Sequence, residues 1–212
     1  RYFSEKNSKL IFCAHAMSML DEPLVLITGP MFAGKSTELG RRYETRRILG
    51  TSKVVIIAPS TSKDALSGSI RPRNSKHYDA MFVARLTIGL AVDLIDAQHD
   101  YVYIDEAQFF DCGDELTTFC KTLLDRGVCV CVAALDMDFR RRSWPAIVSL
   151  QTLSPVIELL HARCTAPCKQ PAIYSAKITP SAAASESAVV DVHAEYMPLC
   201  RACYIKNHRK GL

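Results

Sequence analysis

The chain of 212 residues has no long hydrophobic run and no internal repeats. Its longest unbroken apolar stretch, Val128 to Leu135, is far shorter than the ~20 residues of a membrane-spanning helix. The chain also lacks a strong charge of one sign, because 26 lysines and arginines against 22 aspartates and glutamates leave a net charge of +4. So small an excess does not indicate nucleic-acid binding, and polyphosphate substrates would explain it equally well.

The composition is that of a globular protein. Hydrophobic residues make up 49% of the chain and charged residues 23%, which excludes a disordered or fibrous protein. The length predicts one or two domains with a sizeable core. We expect a soluble protein in the cytoplasm.

The chain begins at Arg1, and residues 1–22 are predicted to be an N-terminal extension. Residues 10–20 superficially resemble the apolar part of a signal peptide. His15 within this stretch and the Asp21–Glu22–Pro23 sequence after it do not fit that template. A packed or loosely ordered extension is the preferred interpretation.

Apolar strands alternate with helical patterns from residue 23 onwards. Fully apolar strands separated by helices are typical of a parallel sheet covered on both faces, so the sequence predicts an α/β fold. Asp114 is predicted to cap one helix, and residues 60–79 are predicted to be a long functional loop. The predicted strands are Leu24–Thr28, Lys53–Ala58, Tyr101–Ile104, Val128–Leu135, which is expected to be the most buried, and Val156–Leu160; the predicted helices run from Lys35 to Gly50, from Arg85 to Ala97, and from Asp114 to Gly127.

The segment GPMFAGKST satisfies the P-loop pattern and lies between a predicted strand and a predicted helix. Backbone N–H groups of such a loop converge on phosphate oxygens, and the helix N-terminus adds the positive end of its dipole. Lys35 is expected to reach the β- and γ-phosphates of a nucleotide, and the Ser36 hydroxyl to ligate Mg²⁺. The predicted ATP-binding residues are Gly29, Pro30, Met31, Phe32, Ala33, Gly34, Lys35, Ser36 and Thr37.

A second acidic motif ends the predicted strand at residues 101–104. Asp105 after an apolar strand is the Walker B arrangement, in which the carboxylate holds Mg²⁺ directly or through water. The spacing leaves open whether the adjacent Glu106 accepts a proton from an attacking hydroxyl or is a first-turn acid of the following segment. Spacing alone therefore predicts phosphoryl transfer or nucleotide hydrolysis, without identifying an acceptor.

Several blocks together resemble the cellular, or type II, thymidine kinase family. They are GPMFAGKST at 29–37, DEAQFF at 105–110, AALDMDF at 133–139, the paired cysteines and Ser175-Ala-Lys177, and the resemblance runs from about Leu24 to Lys206. It implies a RecA-like P-loop core, a small zinc-binding domain and transfer of the ATP γ-phosphoryl group to the 5′-hydroxyl of thymidine or deoxyuridine, giving dTMP in nucleotide salvage. It further implies Glu106 as general base, Asp105 and Asp64 on the Mg²⁺ side, and a homotetramer.

The resemblance also implies an apolar and aromatic nucleoside pocket. Phe109, Phe110 and Phe139 could instead be core residues; we assign only Phe110 to the core. A loop at residues 173–196 is expected to cover the substrate. The implied nucleoside-binding residues are Met31, Phe109, Leu135, Phe139, Trp144, Ser175, Lys177 and Tyr196.

Several segments depart from the family pattern. Ser175-Ala-Lys177 stands where the family has Thr-x-Arg, and the first cysteine pair has three residues between its cysteines where the family usually has two. Asp64-Ala65-Leu66 stands where the family usually has Asp-x-Arg, Trp144-Pro145 replaces Phe-Gly, and Asp191-Val192 replaces two glycines. These departures leave the P-loop and Glu106 intact, so we retain the predicted activity.

Nine cysteines are an odd and large number. The pairs Cys164–Cys168 and Cys200–Cys203 have the spacing of two zinc knuckles that share one structural Zn²⁺. His161 is a conceivable zinc ligand if one of these four cysteines does not reach the metal. The division of the chain is accordingly predicted as a core at 23–160 and a small zinc domain at 161–212. The remaining cysteines are expected to be ordinary buried thiols: Cys13, Cys112, Cys120, Cys129 and Cys131.

The main alternative is a nucleotide-dependent nucleic-acid-binding or switch ATPase that uses the zinc knuckle as a binding module. Its evidence is the arginine runs at residues 41–47 and 140–142. The first run lies at helical spacing beside Glu38 and Glu44, which favours a solvated, salt-bridged face. We therefore expect neither a nucleic acid nor a membrane as partner, and an inactive copy of the kinase is the least favoured alternative.

Overall fold

A parallel sheet of six strands lies at the centre of the computed structural model, which describes residues 22–50, 52–72, 76–110, 113–178 and 195–208. The strands in chain order are β1 Leu24–Gly29, β2 Val54–Pro59, β3 Ser69–Ile70, β4 Tyr78–Asp79, β5 Met81–Val83, β6 Tyr101–Ile104, β7 Cys129–Leu135, β8 Val156–Leu159, β9 Ala162–Arg163, β10 Pro171–Ala172, β11 Tyr174–Lys177 and β12 Tyr196–Leu199. The central sheet has the order β5-β2-β6-β7-β1-β8.

Helices cover both faces of the central sheet, because the strands are apolar on both sides. The helices are α1 Lys35–Leu49, α2 Ile88–Asp96, α3 Glu115–Leu124, α4 Pro145–Leu150 and α5 Arg201–His208. Helices α2, α3 and α4 bury one face of the sheet, and α1 buries the other. The predicted α/β class is confirmed, and the arrangement agrees with the RecA-like core implied by the resemblance. None of the helices in these described ranges is both long and apolar enough to cross a membrane.

Local sequence explains the bounds of two helices. The second helix begins at Ile88, later than predicted, because the Thr87 side chain accepts the backbone N–H of Leu90 at 3.1 Å and caps it. Asp114 precedes α3 as predicted, but its carboxylate does not cap the helix. It accepts instead from the Ser149 hydroxyl at 2.9 Å, which ties α3 to the end of α4.

The predicted ranking of strand burial is wrong. Strand β1 is buried at all six positions, whereas the two terminal residues of β7, Cys129 and Leu135, are only half-buried. The physical reason is position in the sheet: both ends of β7 open towards cavities, one of which is described below.

The predicted loop at residues 60–79 contains structure that its sequence does not indicate. A 3₁₀ turn at Ala65–Ser67 leads into an antiparallel ribbon of β3 and β4. Ile70 and Tyr78 from this ribbon are buried on the α1 side of the sheet. The Tyr78 ring lies so close to Gly40 of α1 that an added Cβ would come within 2.3 Å of it. The prediction of a loop without regular structure is therefore corrected. The sequence did not reveal the ribbon because strands of two residues are too short to show periodicity.

The C-terminal segment forms its own small group of elements. Strand β9 pairs with β10 and β11 pairs with β12, both antiparallel. Cys164, Cys200 and Tyr204 belong to a third buried cluster, and Ala33 of the P-loop packs against it. Cys13, Cys112, the Asp191-Val192 departure, the N-terminal extension before residue 22 and most of the predicted covering loop lie outside the described residues.

Candidate active site

A cavity of about 350 Å³ lies at the carboxyl ends of β1, β6 and β7. Parallel strands end at the same edge of a sheet, which is where ligands bind in open α/β folds. One side of the cavity, which we call the polar end, is formed by the P-loop together with Asp105 and Glu106. Another part of the lining, which we call the aromatic wall, is formed by Phe109, Phe139, Trp144 and Tyr196.

The P-loop backbone is bent in a way that requires glycine. Gly29 has φ 141° and lies against Leu160, where an added Cβ would come within 2.2 Å of the carbonyl oxygen. Gly34 has φ 91° and opens the N-terminus of α1. Of the nine predicted P-loop residues, Met31, Phe32, Gly34, Lys35, Ser36 and Thr37 line the cavity. Gly29, Pro30 and Ala33 shape the loop from behind.

The Lys35 side chain is held inside the P-loop by backbone carbonyl groups of that loop. Its Nζ donates to Gly29 O at 3.1 Å and to Pro30 O at 2.7 Å. Burial lowers the pKa of Lys35 to about 8, although the nearby carboxylates of Asp105, Asp136 and Glu106 act in the opposite direction. The ammonium is thus placed beside the backbone N–H groups that can bind phosphate.

Asp105 and Ser36 form a buried pair of oxygen donors. The Ser36 hydroxyl donates to Asp105 Oδ1 at 3.0 Å, and the backbone N–H of Glu106 donates to the same oxygen at 3.0 Å. Burial raises the pKa of Asp105 to about 6. A hydroxyl and a carboxylate are the hard oxygen ligands that Mg²⁺ prefers, so the donor set fits that ion.

Glu106 has a strained backbone and faces the cavity. Its φ of 50° places a non-glycine residue in the left-handed region, a conformation that costs free energy and clusters at functional sites. Its side chain makes no capping hydrogen bond to the following 3₁₀ turn, which disfavours the interpretation as a first-turn acid. Burial, together with the negative charge of Asp105, raises the pKa of Glu106 to about 7, so this carboxyl can exchange a proton near neutral pH.

The aromatic wall consists of two ring pairs. Phe109 and Trp144 meet edge-to-face with centroids 6.3 Å apart, and Phe139 and Tyr196 lie 6.0 Å apart in a tilted arrangement. Leu135 and Ser175 also line the cavity. Flat apolar faces of this kind suit a planar heterocycle. Phe110, as expected, is instead part of the core, with 2% exposure.

The C-terminal elements hold both sides of the cavity. Ser175 Oγ on β11 accepts the backbone N–H of Met31 at 2.9 Å, which joins the C-terminal ribbon to the P-loop. The Tyr204 hydroxyl on α5 donates to Phe139 O at 2.9 Å. Lys177 is not a lining residue, and its Nζ lies 5.7 Å from the centre of the Phe139 ring.

Sequence reasoning missed several residues that line the cavity. Gln108 is buried, and its Oε1 accepts the Leu135 backbone N–H at 3.1 Å. Its position inside the DEAQFF block was the available signal. Arg71 and Pro72 come from the ribbon that the sequence did not reveal. Met137 and Asp138 follow β7, within and beside the block that carries Phe139.

Asp138 has a structural reason to be buried. Its Oδ1 accepts backbone N–H groups of Arg140 and Arg142, each at 2.8 Å, and its Oδ2 accepts Arg142 Nε at 2.8 Å. These bonds shape the turn that presents Phe139 to the cavity. A carboxylate satisfied by its own turn is best understood as structural.

Asp64 lies beside the cavity and does not line it. It precedes the 3₁₀ turn, and its Oδ2 accepts the Arg71 backbone N–H at 2.8 Å. Its negative charge contributes to the raised pKa of both Asp105 and Glu106, although burial is the main cause in each. Leu66, the position at which arginine was expected, is fully exposed at 102%.

The four paired cysteines come together as predicted. Their sulfur atoms all lie within 4.8 Å of one another. Cys168 Sγ is 3.8 Å from Cys200 Sγ and 3.5 Å from Cys203 Sγ. Four thiolates so placed fit a closed tetrahedral Zn²⁺ site. His161 is exposed and stands apart from the group, so the longer Cys164–Cys168 spacing needs no substitute ligand.

The arginine runs are largely occupied within the protein. Arg41 and Arg42 pair with Glu38, and Arg47 pairs with Glu44, which confirms the predicted salt-bridged face of α1. In the second run Arg142 binds Asp138, as described above, while the guanidinium groups of Arg140 and Arg141 lie over the rings of Phe139 and Tyr204. These contacts within the protein give the named arginines a structural role that requires no nucleic acid.

Known proteins show which family these features belong to. The family model described as thymidine kinase matches residues 22–204. A thymidine kinase of Mesomycoplasma hyopneumoniae (strain 7448) is 32% identical over 184 residues, which cover 87% of this chain and 96% of the relative. A thymidine kinase of Porphyromonas gingivalis (strain ATCC 33277) is 33% identical over 192 residues, which cover 91% of this chain and 89% of the relative.

Among solved structures, AMPPCP-bound DnaA from Aquifex aeolicus matches with a TM-score of 0.43 and 11% identity, over 74% of this chain and 47% of that one. This likeness is too low to carry a functional argument.

Proposed function

Since this chain belongs to the thymidine kinase family and is an enzyme of that activity, we propose that it transfers the γ-phosphoryl group of ATP to the 5′-hydroxyl of thymidine, and of deoxyuridine, with Glu106 as general base. The observation that carries this proposal is the shared cavity. Its lining combines the P-loop, Lys35, Ser36, Asp105 and Glu106 of the polar end with the four rings of the aromatic wall.

In the proposed reaction, a bond forms between the 5′-oxygen of thymidine and the γ-phosphorus. The bond from that phosphorus to the β,γ-bridging oxygen breaks, and its electron pair stays on ADP. The hydroxyl proton passes to the Glu106 carboxylate, which lines the cavity next to the P-loop. Such a reaction depends mainly on positioning and on charge stabilisation, which a buried and preorganised site supplies.

The polar end would hold the nucleotide. Backbone N–H groups of the P-loop and the Lys35 ammonium, which already donates to two carbonyl oxygens of that loop, would bind the phosphates. Ser36 and Asp105 would hold Mg²⁺, with Asp64 adding negative charge beside them. When bound, Mg²⁺ offsets the charge on the phosphate oxygens.

The aromatic wall would hold the nucleoside. Phe109, Phe139, Trp144 and Tyr196 line the cavity, together with Met31 of the P-loop, Leu135 and Ser175. Lys177, whose Nζ lies 5.7 Å from the centre of the Phe139 ring, would add a positive charge beside the cavity. A pyrimidine sandwiched in this way is bound by stacking and by exclusion of water.

The four cysteines would hold a structural Zn²⁺ that stabilises residues 161–212 as a small domain beside the core at 23–160. From family membership we further propose a homotetramer and a cytoplasmic location.

The experiment that tests the proposed function supplies the wild-type protein with ATP labelled at the γ-phosphate, and with thymidine, deoxyuridine, deoxycytidine or water as acceptor. Labelled thymidine and deoxyuridine monophosphates are expected, with little label in deoxycytidine or inorganic phosphate. Release of inorganic phosphate without labelling of any nucleoside would contradict the proposal and would favour the switch ATPase.

A further inference from the structure

We propose that Arg71 supplies the guanidinium that binds the transferred phosphoryl group, a role that no motif of the sequence assigns to it. This inference rests on the proposed phosphoryl transfer, and it identifies a catalytic residue of the same site. Arg71 lines the cavity together with Lys35 and Glu106.

The backbone of Arg71 is held in place from both sides. The chain reaches it directly from β3, whose last residue, Ile70, is buried in the core at 3% exposure. Because side chains alternate along a strand, burial of Ile70 sends the next side chain to the opposite side. The Arg71 N–H donates to Asp64 Oδ2 at 2.8 Å, and Pro72 after it is buried and lines the same cavity.

Few of the described residues that line the cavity carry a positive charge that could bind the transferred phosphoryl group. Among the described residues, the cations that line it are Lys35 and Arg71, against the carboxylates of Asp105, Asp138 and Glu106. Lys35 is bonded to two carbonyl oxygens deep in the loop. In a loose transition state, charge spreads over three equatorial oxygens of the phosphoryl group, and a planar guanidinium can contact two of them at once.

The ribbon also explains why Leu66 can occupy the position where arginine was expected. Leu66 is fully exposed and does not line the cavity, so it offers no charge there. Asp64 instead fastens the backbone of Arg71, seven positions further along. The same carboxylate thereby fixes the backbone position from which the Arg71 side chain reaches the cavity.

The test compares steady-state kinetics of wild type, Arg71→Ala and Arg71→Lys with ATP and thymidine. Removal of a transition-state donor should lower the kcat of Arg71→Ala by about 100-fold and change both KM values by less than about 3-fold. Arg71→Lys should retain intermediate activity, since it keeps the charge and loses the fork. Added methylguanidinium should restore part of the kcat of Arg71→Ala and none of that of Glu106→Gln.

The matched control is Arg126→Ala, an exposed arginine that follows α3 and lies outside the cavity. It should keep wild-type kinetics. The exposed side chain of Arg71 makes an unchanged melting temperature the expected result for Arg71→Ala.

Three outcomes would overturn the inference while wild type still labels thymidine: a fall in kcat of less than about 10-fold, a loss confined to KM, or a loss that follows the melting temperature and is not rescued. A wild type that labels no nucleoside would instead overturn the proposed function itself.

Discussion

The two sides of the cavity are built in different ways. The polar end comes from two short stretches, residues 29–37 and 105–106, and the hydrogen bonds of the Lys35 and Ser36 side chains join atoms within or between these stretches. The aromatic wall takes one residue or two from each of several distant segments. Two of its rings depend on the cysteine-bearing C-terminal part, which supplies Tyr196 and, through Tyr204, holds Phe139.

This difference predicts that damage to one side should be separable from damage to the other. The polar end is held by backbone geometry and buried charge, so changes there should affect the rate of transfer. The aromatic wall is held by packing between distant segments, so changes there should affect the affinity for the nucleoside. Ser175 is the exception, because its bond to the Met31 N–H joins the two sides.

The largest expected effect is that of Glu106→Gln at the polar end. The amide keeps the size of the side chain and cannot accept the hydroxyl proton, so kcat should fall by about 1,000-fold. The dissociation constant of ATP, measured by calorimetry, should change by less than about 3-fold, since the P-loop is untouched. The control is Glu44→Gln, which neutralises a half-buried carboxylate on α1, outside the cavity, and should keep wild-type kcat. A Glu106→Gln enzyme with near-normal kcat would exclude Glu106 as the base.

The next effect is that of Cys200→Ser in the cysteine cluster. Loss of one thiolate from the four should remove zinc from the purified protein and loosen β11 and β12, which carry Ser175 and Tyr196. We expect the KM for thymidine to rise by more than about 10-fold, because part of the aromatic wall is no longer positioned. The affinity for ATP should change much less.

Metal analysis and kinetics of Cys200→Ser should be compared with those of Cys129→Ser, a half-buried thiol outside the cluster. Cys129→Ser should keep zinc and wild-type KM values. An undenatured wild-type protein without zinc would contradict the metal proposal. Equal losses of thymidine and ATP affinity in Cys200→Ser would show that the two sides of the cavity do not separate.

A smaller effect is expected for Phe139→Ala in the aromatic wall. The change removes a ring that pairs with Tyr196 at 6.0 Å and that faces the cavity. An aromatic contact contributes about 0.5–1.5 kcal/mol beyond area burial, so the KM for thymidine should rise by about 2- to 12-fold. The companion variant is Phe32→Ala, on the P-loop, which should alter the KM for ATP and leave that for thymidine unchanged. If Phe139→Ala changed the KM for ATP and Phe32→Ala that for thymidine, our assignment of the two rings to the two substrates would be wrong.

The polar end could be predicted from sequence because its chemistry is local. A strand, a glycine-rich turn and a helix start are contiguous in residues 24–49, and the strand with its acidic end is contiguous in 101–106. Five of the six strands of the central sheet were predictable for the same reason, since each carries its own apolar pattern, whereas the three-residue strand β5 was not predicted. The cysteine pairs were also readable, because ligand spacing within each knuckle is a local property.

The rest depended on contacts that no short window contains. Arg71 reaches the cavity only because Ile70 and Tyr78 pack on the sheet and Asp64 binds its N–H. The aromatic residues were placed by resemblance, since rings in a strand or turn are equally typical of a core. Trp144 stands where the family usually has Phe, and nothing in the neighbouring sequence indicates the consequence, which is a buried indole N–H that lacks an acceptor in the described part of the chain.

The smallest expected effect arises from that problem, in Trp144→Phe. Trp144 is 4% exposed, packs against Phe109 and the core, and its Nε1 is buried without an acceptor in the described part of the chain. Removing an unsatisfied buried donor recovers about 1–3 kcal/mol, while the smaller ring forfeits packing of similar size. We therefore expect urea denaturation to show a change in the free energy of unfolding below about 1 kcal/mol.

The comparison for Trp144→Phe is Phe119→Leu, at a fully buried ring with no polar atom to relieve. That variant should lose about 1–2 kcal/mol, because only the packing cost remains. If Trp144→Phe instead costs more than Phe119→Leu, the indole N–H has a partner in solution, and a water or a polar group must lie behind the aromatic wall. The aromatic wall would then be anchored by a polar contact, as the polar end is. The two sides of the cavity would differ only in how far apart in the sequence their residues lie.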